Sequence, residues 1–297
     1  LVEVLYGYPI DGVILTTGCD KTTPAALMAA ATVNIPSIVL SGGPMLDGSY
    51  KGKKAGSGTI IWEARRLYAK GEIDYEEFME MAAASAPSIG HCNTMGTASS
   101  MNSIAEALGM SLTGGAIIPA PYKEREAISF KTGKRIVEMV HEELTPSKIM
   151  IKKAFENAIY VASAIGASSN CPPHLTAIAK HMGIDFGIDN WDKLGRDIPL
   201  LVNCQPAGEH LMEGFFKAGG VPAIMQELMK NNKLHKKLIT VTGKTVEENL
   251  KNKIEVDRDI IKSFKNPLVK NAGFIVMKSN FFNSAIMKTS VISAEFR

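Results

Sequence analysis

The chain is poor in the residues that would give it away quickly. Of its 297 residues only four are cysteine, Cys19, Cys92, Cys171 and Cys204, too few for a disulfide framework in a chain of this length. Free or metal-bound thiols in a reducing cytoplasm are the expectation. Charge of one sign is also scarce: 33 Lys and Arg stand against 30 Asp and Glu, a net +3, which argues against nucleic acid or an anionic membrane as partner. No apolar run approaches the roughly 20 residues a membrane span needs. Convincing internal repeats and low-complexity tracts are missing too. What is present is an ordinary globular balance, 45% hydrophobic and 21% charged, enough to bury a sizeable core.

The opening residues, Leu1 to Leu5, read as the middle of a helix. Residues 11–17 (DGVILTT) read as a short buried strand, followed by the loop Gly18-Cys19-Asp20-Lys21-Thr22. Thr23 is the expected N-cap and Pro24 the first residue of a helix running to Val33. Pro36 interrupts it, and 37–40 (SIVL) reads as the next strand. Strand, helix and strand at this spacing predict a parallel unit, with the Cys19 loop at the carboxyl end of a sheet, where open α/β sheets bind ligands. The glycine-rich stretch 41–58 reads as an ordered functional loop or a lid. Helices are expected at 60–69, 75–85, up to about 108 with Gly109 as C-terminal cap, and at 124–143, 152–165, 173–182, 221–230 and 246–251. A buried strand is expected at 198–203 (IPLLVN). From Asp257 the pattern changes, with strands expected at 274–278 and 285–292 and little helix between them. The fold class expected is therefore α/β, with a parallel-sheet domain and flanking helices over 1–256 and the start of a β-rich domain over 257–297. Two strands are too few for an independent core, so the chain is expected to be cut inside that domain.

Cys19 and Cys92 both sit beside glycine in loops ahead of expected helices, whose unpaired N–H groups favour a thiolate. Two such thiolates can share a metal centre if the loops converge, although their separation is no local metal motif and a buried packing role is the competing reading. Asp20 offers a hard oxygen suited to Mg²⁺, or a helix cap. Lys21, an ammonium without a lone pair, ligates nothing as it stands; it needs deprotonation or carbamylation, or else serves as a point charge for an anion. Ser41-Gly42-Gly43-Pro44 either offers backbone N–H groups to an anion or makes a plain turn. Ser168-Ser169-Asn170 reads as hydroxyl-binding or, more simply, as an N-cap. His174 and His181 share a helix face about two turns apart and read as core or surface histidines; Cys171 and Cys204 read as packing residues.

The words in the sequence add what spacing does not. Gly18-Cys19-Asp20-Lys21-Thr22-Thr23-Pro24, Ser41-Gly42-Gly43-Pro44-Met45, residues 90–98 (GHCNTMGTA), 106–112 (EALGMSL), 203–208 (NCQPAG) and Lys288-Thr289-Ser290 occur in one order along the whole chain. Together they closely resemble the dihydroxy-acid and phosphogluconate dehydratase family. The forms CDKTTP, HCNTMG and IPAPY (118–122) resemble its branch acting on aldonic acids such as arabinonate or xylonate. The resemblance implies an α/β domain followed by a β-barrel domain, and a homodimer or homotetramer. It implies that Cys19 and Cys92 are two of three cysteine ligands of a [2Fe–2S] cluster, and that Asp20 and Lys21, the latter carbamylated in some members, bind Mg²⁺. The implied reaction removes water from a 2,3-dihydroxy sugar acid to give a 2-keto-3-deoxy acid. A third cysteine and a further acidic ligand are expected ahead of Leu1, and a serine base and a glutamate ligand beyond Arg297, so the chain alone is expected to be inactive. Cys171 and Cys204 do not match the missing ligand, and Ser169 stands where a threonine is common. The alternatives are a branched-chain dihydroxy-acid dehydratase of amino-acid biosynthesis and, from another class, a non-catalytic metal-binding fragment.

Overall fold

A computed structural model describes residues 1–296. After a short helix α1 (Val2–Gly7), strand β1 (Val13–Thr17) leads through helix α2 (Thr22–Val33) to β2 (Ser37–Ser41). β1 and β2 pair in parallel, in register from Val13↔Ser37 to Thr17↔Ser41, so the two strands end side by side. Helix α2 is built from alanine, leucine and methionine and is buried on most of its surface. It stops where Asn34 takes a left-handed conformation (φ 55°) and its N–H bonds back to Ala30 O, a cap that asparagine tolerates well. The helix begins one residue before the expected cap: Lys21, not Thr23, is the N-cap. The Thr23 hydroxyl is turned inward instead, to Asn102 Oδ1 at 2.9 Å.

The stretch expected as a lid is pinned. It forms an antiparallel hairpin, β3 (Gly48–Tyr50) with β4 (Lys53–Ala55), held between Asp47 contacts on one side and the next helices on the other. Helices α3 (Ile60–Ala69) and α4 (Tyr75–Ala84) follow as a pair; Asp74 caps α4 by accepting from Glu77 N at 2.8 Å.

Helix α5 (Thr97–Ala107) is the centre of the molecule. Every residue from Ala98 to Ala107 is buried, yet the helix carries Ser99, Ser100, Asn102, Ser103 and Glu106. A polar helix is stable inside a protein only if each such group is bonded, and each of these has a partner. Around α5 pack α2, α8 (Lys152–Ala164), α9 (Cys171–His181) and α12 (Gly220–Lys230). The long α6 (Lys123–His141) lies against β1 and β2, and the single turn α7 (Pro146–Ile149) against α2. Three further helices were not anticipated as such: α10 (Ile188–Gly195) and α11 (Met212–Lys217), short and apolar only on one side, and α7. A final turn, α13 (Val246–Asn249), is closed by a reciprocal Thr245–Glu248 capping box.

Residues 198–203 are buried as expected but form no strand of a sheet. Their backbone groups are used in isolated bridges, Leu200↔Val269 and Val202↔Ile261, and in a bond from Leu201 N to Ala164 O at 2.8 Å; among the described residues they join none of the three sheets. β5 (Phe274–Met277) and β6 (Ala285–Lys288) pair antiparallel. β6 is shorter than expected because Thr289 starts a 3-10 turn, with its hydroxyl donating to Gly273 O at 2.6 Å. The chain is thus α/β, with a short parallel sheet and many helices, and no closed barrel exists among the described residues. Ile260, Ile261 and Phe274 belong to the same apolar core as Leu15, Phe155 and Trp191. Among the described residues, no helix is long and apolar enough to cross a membrane.

Candidate metal centre

The four cysteines divide cleanly. Cys171 and Cys204 are buried and Cys19 and Cys92 exposed. Burial pushes the Cys171 thiol up to about 12, and that of Cys204 higher still, so both are inert packing groups.

Cys19 lies at the carboxyl end of β1. Thr22, in the first turn of α2, wraps its peptide: the Thr22 hydroxyl accepts from Gly18 N (3.3 Å) and Cys19 N (3.0 Å) and donates to Cys19 O (2.9 Å). The loop is thereby fixed while the thiol stays in solvent. Burial of the sulfur raises the Cys19 pKa and the charges of Asp20 and Cys92 raise it further, outweighing the Asp20 backbone hydrogen bond that lowers it. The helix end therefore does not make Cys19 a spontaneous thiolate. The two loops, remote in sequence, are joined through Asn102, which bonds to Thr23 in the first turn of α2 behind Cys19 and to His91 beside Cys92.

Cys92 does not sit directly at a helix start, as its sequence context suggested; a turn, 93–96, separates it from α5. Its loop is held by the Ser41–Met45 segment. His91 N donates to Gly43 O (3.0 Å) and Met45 N to His91 O (2.9 Å), a parallel bridge that continues the edge of β2. Gly90 (φ 129°) permits this approach, since a Cβ there would stand 2.5 Å from Met45 N. Gly42 N donates to Thr17 O and Gly43 N to Ser41 Oγ, and Pro44 has no N–H to offer; the segment is a scaffold for Cys92 and not an anion cradle. Behind it the Arg125 guanidinium collects the carbonyls of Ser41, Gly115 and Ile118.

One residue ties the two cysteine loops together. Asn102, fully inside α5, presents its Oδ1 to the hydroxyls of Thr23 (2.9 Å) and Thr17 (3.4 Å), and its Nδ2 to His91 Nε2 (3.0 Å). Burial drives the His91 pKa down to about 4, so the ring is neutral. Its Nδ1 faces Cys92 O at 3.0 Å and must carry the proton, which leaves Nε2 as the acceptor that Asn102 needs. Sequence reasoning missed Asn102, because one asparagine among serines in a helix gives no signal of its own.

Asp20 and Lys21 lie beside Cys19, paired at 3.4 Å and largely in solvent. Partial burial tends to raise the Asp20 pKa, but Lys21 overcomes it and the carboxyl is held low. His174 and His181, on α9, both face α2: His181 Nδ1 lies 2.7 Å from Thr32 Oγ1, and His174 feels Lys21 and Asp20, with burial and then Lys21 lowering its pKa. A cavity of about 440 Å³ lies elsewhere, between the β3–β4 hairpin, α3 and the Gln205–Gly208 loop.

The chain matches the family model described as dihydroxy-acid/6-phosphogluconate dehydratase N-terminal over residues 1–249. It belongs to that family. Relatives include a D-xylonate dehydratase of Caulobacter vibrioides, 57% identical over all of this chain and 50% of its own length. An L-arabinonate dehydratase of Rhizobium leguminosarum is 46% identical over 98% of this chain and 50% of its own. A dihydroxy-acid dehydratase of Acetivibrio thermocellus is 40% identical over 97% of this chain and 52% of its own. The chain spans about half the length of the curated relatives it matches.

For this family member the donor set fits the groups that the resemblance implies in kind. Two exposed thiols lie on loops that Asn102 ties together, of a kind suited to iron, and the carboxylate of Asp20, held low, follows Cys19 directly, of a kind suited to Mg²⁺. The set is incomplete: among the described residues, no three His, Cys, Asp or Glu side chains converge as a closed metal site.

Proposed function

We propose that this chain is the cluster- and Mg²⁺-binding part of a hydro-lyase that converts a sugar acid of the arabinonate or xylonate type to its 2-keto-3-deoxy acid. The observation that carries the reading is that Asn102 joins the loop of Cys19, followed by Asp20 and Lys21, to the loop of Cys92; the likeness to xylonate and arabinonate dehydratases supports it. Cys19 and Cys92 would hold a [2Fe–2S] cluster, and Asp20 with a carbamylated Lys21 would hold Mg²⁺. When bound, these groups supply Lewis acidity for the departure of a hydroxyl and for acidifying the carbon next to a carboxylate. Lys21 as an ammonium competes for that task, since it already pairs with Asp20. Carbamylation removes the positive charge, adds oxygen donors and frees the Asp20 carboxylate. Asn102 and His91 hold the two cysteine loops together without touching substrate. The proposal includes a homo-oligomer, for which the exposed aromatics Trp62, Tyr68 and Tyr75 on α3 and α4 offer apolar contact area.

The test uses the complete protein encoded by the gene, purified without oxygen and supplied with Mg²⁺. Formation of 2-keto acid is compared on pentonates, hexonates and a branched 2,3-dihydroxy acid. Preference for a pentonate or hexonate is the expected result. Preference for the branched acid moves the function to amino-acid biosynthesis, and no product from any substrate with an intact visible-absorbing cluster overturns the dehydratase reading.

A further inference from the structure

Lys288, at the end of β6, is an amine in an unfavourable place. Its Nζ donates to Gly166 O at 2.7 Å, and among the described residues no carboxylate pairs with it. Burial pushes its pKa down to about 8, against a small opposing influence from Cys171. A partly buried ammonium bonded to one carbonyl is poor value for stability, since an apolar side chain of similar size does as well or better in such positions. The fold nevertheless makes room for it: Gly166 takes φ 62°, a conformation that favours glycine, and a Cβ there would stand 2.8 Å from Leu200 Cδ1 and 3.3 Å from the buried Ser290 hydroxyl.

What Lys288 grips is the turn that connects α8 to α9. That turn is bonded to the first turn of α5. Ser168 N donates to Ser100 Oγ (3.0 Å), Ser168 Oγ meets Thr97 Oγ1 (2.8 Å), and Asn170 Nδ2 donates to Thr97 Oγ1 (3.0 Å). Between Thr97 and Ser100 stands Ser99, whose hydroxyl bonds to Thr94 O (2.9 Å) and Cys92 O (3.4 Å).

We propose that Lys288 is a positioning residue for Cys92: by clamping Gly166 it sets the 166–171 turn, which fixes the first turn of α5 and through it the Cys92 loop. The motifs Ser168-Ser169-Asn170 and Lys288-Thr289-Ser290 then share one task, and the segment after Asp257 acts on the thiol without contributing a ligand. That this thiol serves a cluster rests on the function proposed above; the clamp itself does not.

The experiment makes Lys288→Met and Ser168→Ala in the complete protein. It reads melting temperature, iron per chain, and the rate at which iodoacetamide alkylates Cys92 in the apoprotein, followed by peptide mass spectrometry. Lys288→Met is expected to melt at or above the wild-type temperature, to retain less iron, and to alkylate faster at Cys92 by about threefold or more, within the roughly 2- to 30-fold range of couplings through packed networks. Ser168→Ala, which cuts the bond to Thr97 without touching Lys288, is expected to shift alkylation in the same direction, and it decides the matter if Lys288→Met does not fold. Wild-type alkylation of Cys92 in the folded variants overturns the proposal, as does a loss of stability in Lys288→Met with no change at Cys92, the signature of a merely structural lysine. Alkylation is read on apoprotein, so a wild-type protein that proves not to be a dehydratase leaves this result standing on its own.

Discussion

Replacing Asn102 by alanine removes a side chain that bonds to both cysteine loops. His91 Nε2 loses its donor, and it has no second partner among the described hydrogen bonds. The Thr23 hydroxyl loses its 2.9 Å acceptor and keeps only a long contact of 3.4 Å to Cys19 O. The Thr17 contact, at 3.4 Å, is weak and adds little. Each buried polar group left without a partner costs about 1–3 kcal/mol, so two of them, one partly compensated, come to about 3 kcal/mol. For a unit of this size that corresponds to roughly 6–12 °C in melting temperature. Thr23→Val, which deletes only one arm, should cost about 1 kcal/mol. Thermal unfolding of the two variants of the complete protein, with iron content measured alongside, gives the test. Iron should fall in Asn102→Ala, because the loops lose their common support while both thiols remain. A melting temperature within about 2 °C of wild type, less than a single kcal/mol predicts, would refute the bridging role.

Gly90→Ala should destabilise by about 2 kcal/mol or more, because a Cβ at φ 129° meets Met45 N at 2.5 Å; differential scanning fluorimetry reads this directly, with loss of iron in parallel. Glu106 accepts from Gly114 N and Ala116 N, but burial raises its pKa to about 7 from an ordinary 4.5. The folded chain thus holds a proton that the unfolded chain has already released. The stabilisation it contributes is complete below about 4.5, declines as pH rises and is gone above about 7. At about 1.4 kcal/mol per pH unit the full span is about 3 kcal/mol. In denaturant titrations from pH 5 to 8, Glu106→Gln should lose this downward slope relative to wild type; parallel curves would contradict the assignment. Lys21→Ala in the complete protein should lower turnover by roughly 100-fold or more while iron is retained; an unchanged rate removes Lys21 from the Mg²⁺ site.

Much of the scaffold was readable because its local signals agree. Helix α3 falls at the expected residues and α6 and α8 within two of them, since alternating apolar faces and flanking breakers point the same way. The parallel β1–α2–β2 unit follows from Pro36 and two short apolar runs. Failures came where tertiary bonds outbid local ones. Thr23 looked like a cap but is drawn inside by Asn102, and 198–203 looked like a strand but finds only single-residue partners. At the site, exposure separates Cys19 and Cys92 from Cys171 and Cys204, a distinction that no spacing carries. Residue chemistry allowed the first two to share a centre if their loops met, and the resemblance implied that they do; the bridge between the loops, Asn102 with His91, had no sequence signal at all.

Helix α5 also functions as a gauge of length. Its first turn answers to the 168–171 turn, its middle to the two thiol-bearing loops, and its last turn, through Glu106, to the backbone at Gly114 and Ala116. Each successive residue in a helix is rotated by about 100° and advanced by about 1.5 Å. A single insertion or deletion between Thr97 and Ala107 would therefore leave one set of partners in place and swing the others to the wrong side of the axis. Point changes on this helix can be absorbed one bond at a time; changes in its residue count cannot. Variation in length among functional versions of this chain should accordingly gather in the β3–β4 hairpin turn and the α3–α4 connection, where Gly52 and Gly71 stand clear of all neighbours, and should be missing from α5.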